Sequence, residues 1–330
     1  MTRITSLLLP CVLFSPVYSQ SPTQWKDPSP HTVHFVKVDN NVKVEVLDWG
    51  GKGKPLILLA GGGNTAHVFD DFATKLTANF HVYGITRRGF GDSEFSEPLK
   101  ENQIDDDILL VMDSFKLRKP ILAAHSIGGA ELSAVASSHP DLIAGLVYME
   151  AGYPYAFNNG KGPSMTEFME LRPPQQPSTG NDHLASYEAL QKSENQTYGN
   201  RTPEAEFRQL WEFTTDGKTL KRKEVPGWST LMTMLNSSTK YTDIKVPSLV
   251  IFAIPHTWDA GLTRSSDPQV RKEAETYFAK IDSLTRKQAT VFKEAIPTAR
   301  IVELSGTHFI FMSNEKDVLS EIHTFNKGLK

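Results

Sequence analysis

The sequence predicts an α/β fold in which a mostly parallel central sheet is covered by helices on both faces. Three observations predict it. Short continuous apolar runs, such as residues 55–60 (Pro-Leu-Ile-Leu-Leu-Ala), read as strands buried on both sides. Segments with helical spacing of apolar residues separate these runs, so strand and helix alternate along much of the chain. One such run, Ile121 to Ala124, stops at His125-Ser126, passes two glycines and continues into a helical pattern over Ala130–Ala136.

Composition narrows the class. The chain has 330 residues, enough for one large domain with an insertion. Apolar residues at 39% and charged residues at 22% support a packed core. With a formal net charge of −3 and no basic block, nucleic acid is not an expected partner. The N-terminus reads as a secretory signal peptide over residues 1–19, because a short basic start precedes an apolar run and Val17-Tyr18-Ser19 suits cleavage before Gln20. Pro10 and Pro16 interrupt that run, which is too short for a stable membrane anchor. A secreted or periplasmic location is therefore expected. The only cysteine, Cys11, lies inside the leader, so the mature chain should hold no disulfide and no thiolate metal site. A lipoprotein reading through Cys11 is disfavoured, because Leu8-Leu9-Pro10 lacks the small residues it needs. Asn195, Asn200 and Asn236 begin glycosylation tripeptides that matter only in a eukaryotic host.

In chain order, residues 20–30 are a polar, proline-rich lead-in with no packing pattern. Thr32–Val38 and Val42–Trp49 alternate around Asn40-Asn41 and read as an edge hairpin. The strand over Pro55–Ala60 opens into Gly61-Gly62-Gly63-Asn64, followed by a helix over Ala66–Leu76 and a strand over His81–Ile85. Ile104–Phe115 carries an apolar stripe behind an acidic first turn, which suits the helix dipole. Leu142–Met149 is a further strand, ending at Glu150. The alternation then fails, and because a structureless loop of that length is improbable, residues 152–243 are assigned to an inserted helical cap. Its pieces include amphipathic stretches over Glu204–Phe213 and Trp228–Leu235. Strand character resumes at Pro247–Ala253, a long helix covers Asp267–Glu294, a last strand covers Arg300–Leu304, and a final helix covers Asn314–Asn326. The core is thus expected in residues 20–151 and 244–330.

Strand, serine on a tight turn and helix form the context of a nucleophile elbow, whose flanking residues must be small. Here Ala124 and Gly128 flank Ser126, an A-x-S-x-G pattern in place of the commoner G-x-S-x-G. Taken with the Gly-rich loop at 61–63, the turn Arg88-Gly89-Phe90-Gly91-Asp92-Ser93 and the late Gly306-Thr307-His308, the chain resembles the α/β-hydrolase superfamily, specifically its serine-nucleophile esterase and lipase-like branch with a helical cap. The resemblance covers residues 32–326 apart from the insertion. It implies an α/β-hydrolase fold, Ser126 as nucleophile and His308 as general base. A carboxylate should orient the histidine. The usual place, three residues after the strand ending at Ala253, holds Ile254-Pro255-His256 instead. Glu150, at the end of the preceding strand, is the favoured acid, because it needs no special loop path to reach the site. Asp259 is the alternative. An oxyanion hole is expected from the backbone N–H groups of Gly62 and Ile127, with Gly63 possible.

The implied activity is a secreted serine hydrolase that cleaves a small carboxylic ester with an apolar portion through an acyl-enzyme, with no cofactor required. Serine at the elbow argues against aspartate-nucleophile enzymes such as epoxide hydrolases. Other readings stay open: an amide or peptide hydrolase using acidic cap residues (Glu167, Glu170, Glu204, Glu206), a lyase or cofactor-free oxygenase, and a non-catalytic binder. The spacing of His, Asp and Glu along the chain gives no metal-ligand motif. His31, His34, His81 and His323 read as structural, and His67 and Asn64 as helix-start residues.

Overall fold

The computed structural model describes residues 25–39, 41–97, 103–174, 184–198, 201–235, 241–257 and 265–329. The expected leader, Cys11 and Asp259 lie outside these residues. Eight strands form one sheet: β1 (Thr32–Lys37), β2 (Lys43–Gly51), β3 (Lys54–Leu59), β4 (Phe80–Ile85), β5 (Ile121–His125), β6 (Gly145–Met149), β9 (Ser248–His256) and β10 (Ala299–Gly306). Their spatial order is β1-β2-β4-β3-β5-β6-β9-β10. Only β2 runs against its neighbours; every pairing from β4 to β10 is parallel. All five residues of β5, and all five of β6, are buried, which is why these strands appear in the sequence as unbroken apolar runs rather than alternating ones.

Helices α1 (Asp70–Leu76), α2 (Gln103–Ser114), α3 (Gly128–Ser138), α8 (Pro268–Ala295), α9 (Ile310–Ser313) and α10 (Glu315–Gly328) flank the sheet. One layer of core joins Val111, Leu132, Val135 and Phe292 to one face. The other joins Phe72, Phe311, Val318 and Ile322 to the opposite face. Local chemistry sets the helix starts. Asp267 accepts from the Gln269 N–H at 2.8 Å, with Pro268 opening α8, and Thr65 caps the 3₁₀ turn Ala66–Phe69 that leads into α1.

Between β6 and β9 lie α4 (Met165–Glu170), α5 (Tyr187–Tyr198), α6 (Glu204–Leu210) and α7 (Trp228–Leu235). This region is not all helical. The helix expected to reach Phe213 ends at Leu210, and β7 (Trp211–Phe213) pairs antiparallel with β8 (Thr219–Arg222). The aromatic, half-buried Trp211 and Phe213 suit a pleated hairpin better than another helical turn. The lead-in also differs from its expectation of no packing. Trp25 lies 4.5 Å beneath the Arg208 guanidinium, and Asp27 and His31 pack on the turn that precedes α1. Among the described residues no helix is long and apolar enough to cross a membrane.

Candidate active site

The parallel strands deliver three side chains to one edge of the sheet. Ser126 follows β5 with φ 51°, and Glu150 follows β6 with φ 52°. Such left-handed backbone is costly outside glycine and recurs where a side chain is held for function. The elbow has room for nothing larger than what it has. A Cβ on Gly129 would stand 2.1 Å from the Ala151 carbonyl oxygen, and one on Gly128 would stand 3.1 Å from the Ala124 Cβ. Small residues here are dictated by the approach of α3 to β5 and β6.

His308, on the loop after β10, joins the other two. The Ser126 hydroxyl donates to His308 Nε2 at 2.9 Å, and His308 Nδ1–H donates to Glu150 Oε2 at 3.1 Å. Glu150 is fully buried and well held: the Ala253 N–H donates to Oε1 at 2.8 Å and the Tyr153 hydroxyl to Oε2 at 2.6 Å. The structure therefore brings together Ser126, His308 and the favoured acid, Glu150.

No sequence pattern singles out His256. It stands at the end of β9, at the position where an aspartate is expected, and its Nε2 lies 3.4 Å from Glu150 Oε2. On its far side its Nδ1–H donates to Asp282 on α8 at 2.7 Å. Burial alone would push the Glu150 carboxyl up, but contact with His256 and His308 holds it well below the usual carboxylate range. Burial would likewise push His256 down, yet Asp282 and Glu150 raise it to about 9. The Tyr153 phenol is pushed well up by burial and by the Glu150 charge, so it stays a proton donor.

His125, next to the serine in sequence, points away from it. Its Nε2–H donates to the His308 carbonyl at 2.9 Å and its ring packs against Phe309 and Phe311. Burial, with the neighbouring His308, lowers it to about 3, so it is neutral and anchors the histidine loop.

Gly62 and Ile127 border the same cavity as Ser126, whereas Gly63 (φ 80°) does not. Among the described residues neither the Gly62 nor the Ile127 N–H donates an internal hydrogen bond, which leaves both donors available. Arg87, on the loop after β4, holds the start of the glycine loop by donating to the Ala60 carbonyl at 2.9 Å while paired with Glu131 at 2.7 Å. The cavity measures about 520 Å³ and is mainly apolar. Apolar residues of the insertion line it, among them Tyr153, Tyr155, Met165, Phe168, Met169 and Trp228. Phe157, Trp211, Phe213, Met232 and Met234 do not; Phe157 packs on Phe292 instead. Leu231, Tyr277 and Ile281 also form part of the wall. The last two come from α8, whose helical spacing carries no sign of which residues face a ligand.

None of the four acidic residues considered as amine binders lines this cavity. Glu167 closes the capping box of α4, Glu204 pairs with Arg208, Glu170 borders a separate groove, and Glu206 is buried against Thr65 and Asn64. No metal-ligand motif runs along the sequence, but titratable side chains from separate segments meet in space. Asp27, His31, His67 and Asp70, from two distant segments, converge in one cluster away from the cavity that holds Ser126. His67 is therefore more than a helix-start residue, whereas Asn64 donates to Glu206 at 2.9 Å.

The model of the Alpha/beta hydrolase family matches residues 56–321. Among curated proteins, the chain is similar to epoxide hydrolase 4 of Mus musculus, with 27% identity over 147 residues, covering 41% of this chain and 39% of that protein. It is similar also to the pimeloyl-[acyl-carrier protein] methyl ester esterase of Neisseria meningitidis, at 29% over 93 residues and 28% of each chain. The matches span about two-fifths or less of these relatives. Among solved structures, E-2-(acetamidomethylene)succinate hydrolase superposes with TM-score 0.62 at 16% identity, covering 90% of this chain and 100% of that one.

Proposed function

Because the chain belongs to the alpha/beta hydrolase family, we propose that it is a serine hydrolase acting on small carboxylic esters with an apolar portion. The observation that carries this reading is the hydrogen-bonded series Ser126–His308–Glu150 at the floor of an apolar cavity. Ser126 Oγ attacks the ester carbonyl while His308 Nε2 takes its proton. The oxyanion that forms is met by the N–H groups of Gly62 and Ile127. His308 then returns the proton to the departing alcohol. A water then attacks the acyl carbon as His308 takes its proton, and His308 passes that proton to Ser126 Oγ as the bond from the acyl carbon to Oγ breaks, so that the acid leaves and Ser126 is restored. Glu150 keeps Nδ1 protonated and balances the imidazolium charge. Opening an epoxide by the covalent route needs a carboxylate nucleophile at the elbow, which Ser126 does not supply. An amide-hydrolase reading gains no support from the acidic cap residues, since none of the four lines the cavity.

The test is labelling with a fluorophosphonate probe alongside assay of short aryl esters. Wild type should label and turn over. Ser126→Ala should lose labelling entirely, and Glu150→Gln should lose roughly 10⁴-fold in kcat. Unlabelled wild type, or full activity in Ser126→Ala, sinks the proposal. If Asp259→Asn falls by that factor and Glu150→Gln does not, the acid is misassigned.

A further inference from the structure

The cluster outside the cavity that holds Ser126 is built as a metal site. His67 Nδ1 stands 3.4 Å from Asp27 Oδ2 and 3.4 Å from Asp70 Oδ2, and His31 Nε2 stands 3.5 Å from Asp27 Oδ2. These three of the six separations match the edge of a tetrahedron, about 3.4 Å for ligands about 2.1 Å from a zinc ion, and all four ligand atoms lie within 4.8 Å of one another. None of the three has hydrogen-bond geometry; they are charge contacts only if the histidines are protonated. Indeed His67 Nδ1 and Asp70 Oδ2, on residues at least nine-tenths buried, have no hydrogen-bond partner, an expensive arrangement unless something sits between them.

The outward atoms of the same residues are all engaged. Asp70 Oδ1 accepts from His31 Nδ1–H at 2.8 Å and from the Trp49 indole N–H at 3.0 Å. His67 Nε2 faces Glu45 Oε1 at 3.3 Å, and Glu45 in turn accepts from the Thr86 hydroxyl at 2.7 Å. Placing protons on His31 Nδ1 and on His67 Nε2, with the Gln209 amide 3.3 Å from Nε2 turned to present its oxygen, leaves lone pairs on His31 Nε2 and His67 Nδ1 beside the two carboxylate oxygens. A carboxylate behind a ligating histidine is the usual outer support of such a centre.

We infer that Asp27, His31, His67 and Asp70 bind one divalent transition-metal ion, zinc by the donor set, in a closed tetrahedral site. Two nitrogens and two carboxylate oxygens suit zinc, and the two carboxylate charges neutralise it. Four protein ligands leave no open position, so the ion is structural. It ties the lead-in at residues 27–31 to the 3₁₀ turn at Ala66–Phe69, three residues beyond the Gly61–Gly63 loop.

The experiment uses the mature full chain, stripped with chelator and returned to zinc, with metal content measured after desalting. Wild type should retain about one zinc per chain, show a higher Tm with zinc than after stripping, and give the visible absorption of tetrahedral cobalt when cobalt replaces zinc. His31→Ala removes a ligand on the lead-in and leaves the sheet untouched. It should keep the wild-type circular dichroism and bind zinc at least roughly 100-fold more weakly. Glu45→Gln should weaken binding by about 10 to 100-fold. Failure of stripped, folded wild type to take up zinc overturns the inference and leaves an ion-pair cluster. So does zinc content that His31→Ala retains unchanged.

Discussion

At the scale of single residues, the site turns on how Glu150 is kept charged in a place that disfavours charge. Hydrogen bonds from the Ala253 N–H and the Tyr153 hydroxyl reach it, and two histidines hold it charged: His308, and the buried His256, which Asp282 and Glu150 keep protonated up to about pH 9. That cation opposes a second positive charge nearby, so it limits the proton affinity of the triad as a whole. Replacing it with glutamine should therefore move the acid limb of the kcat/KM profile to higher pH. On the acid side, a limb displaced by one whole pH step lowers activity tenfold, while the plateau near pH 8 changes much less. A uniform loss at every pH would mean that His256 is only a packing residue.

At the scale of elements, the insertion docks on the core through the apolar cluster of Leu231 with Phe90, Ile127 and Ala130 and through a few buried polar contacts. Glu206 of α6 is fully buried beside the glycine loop; the Thr65 N–H and Asn64 amide donate to Oε1 at 3.1 and 2.9 Å, and its other oxygen bonds the Thr65 hydroxyl. Burial raises this carboxyl to about 7, with the hydrogen bonds opposing in part. The folded state thus binds the proton more tightly than the unfolded chain does. The resulting stability is complete below the ordinary glutamate value of about 4.3 and is lost as pH rises through about 7. Glu206→Gln keeps the shape and removes the titration. Its Tm should fall less than that of wild type between pH 5 and pH 8, and equal slopes would refute the assignment. Nearby, Gly89 (φ 74°) meets Gly227 backbone to backbone, the Gly227 N–H donating to the Gly89 carbonyl at 3.0 Å. The Arg-Gly-Phe-Gly-Asp-Ser turn therefore seats the insertion as well as shaping its own loop.

At the scale of the whole molecule, Arg88 links parts of the chain far apart in sequence. Its guanidinium donates twice to Asp107 of α2 at 2.6 Å and once to Asp39 beside β1 at 3.3 Å, and it is 1% exposed. Removing one partner of such a buried pair strands the other charge. Arg88→Ala should cost about 3–5 kcal/mol in urea unfolding at neutral pH. Arg88→Met with Asp107→Leu should recover most of that loss, because no charge is left buried alone. A cost under about 1 kcal/mol for the single variant would show that Asp107 sheds its charge freely.

The layered sheet, the elbow serine and the histidine loop are legible in the order of amino acids alone. Each is written in a local pattern: apolar runs at β3, β5 and β6, small residues forced around Ser126, and a glycine before His308. Strand-end position alone also puts Glu150 ahead of Asp259. Which side chains meet is a matter of tertiary packing. His256 and Asp282 reach Glu150 from β9 and α8, and Tyr277 and Ile281 enter the cavity from a helix whose spacing says only that it is amphipathic. Asp27 and His31 find His67 and Asp70 from a separate stretch of chain, a proximity that no local spacing encodes. Short-range periodicity specifies elements because backbone geometry repeats along the chain. Convergence of polar groups depends on how those elements pack, and that is settled by the whole core at once.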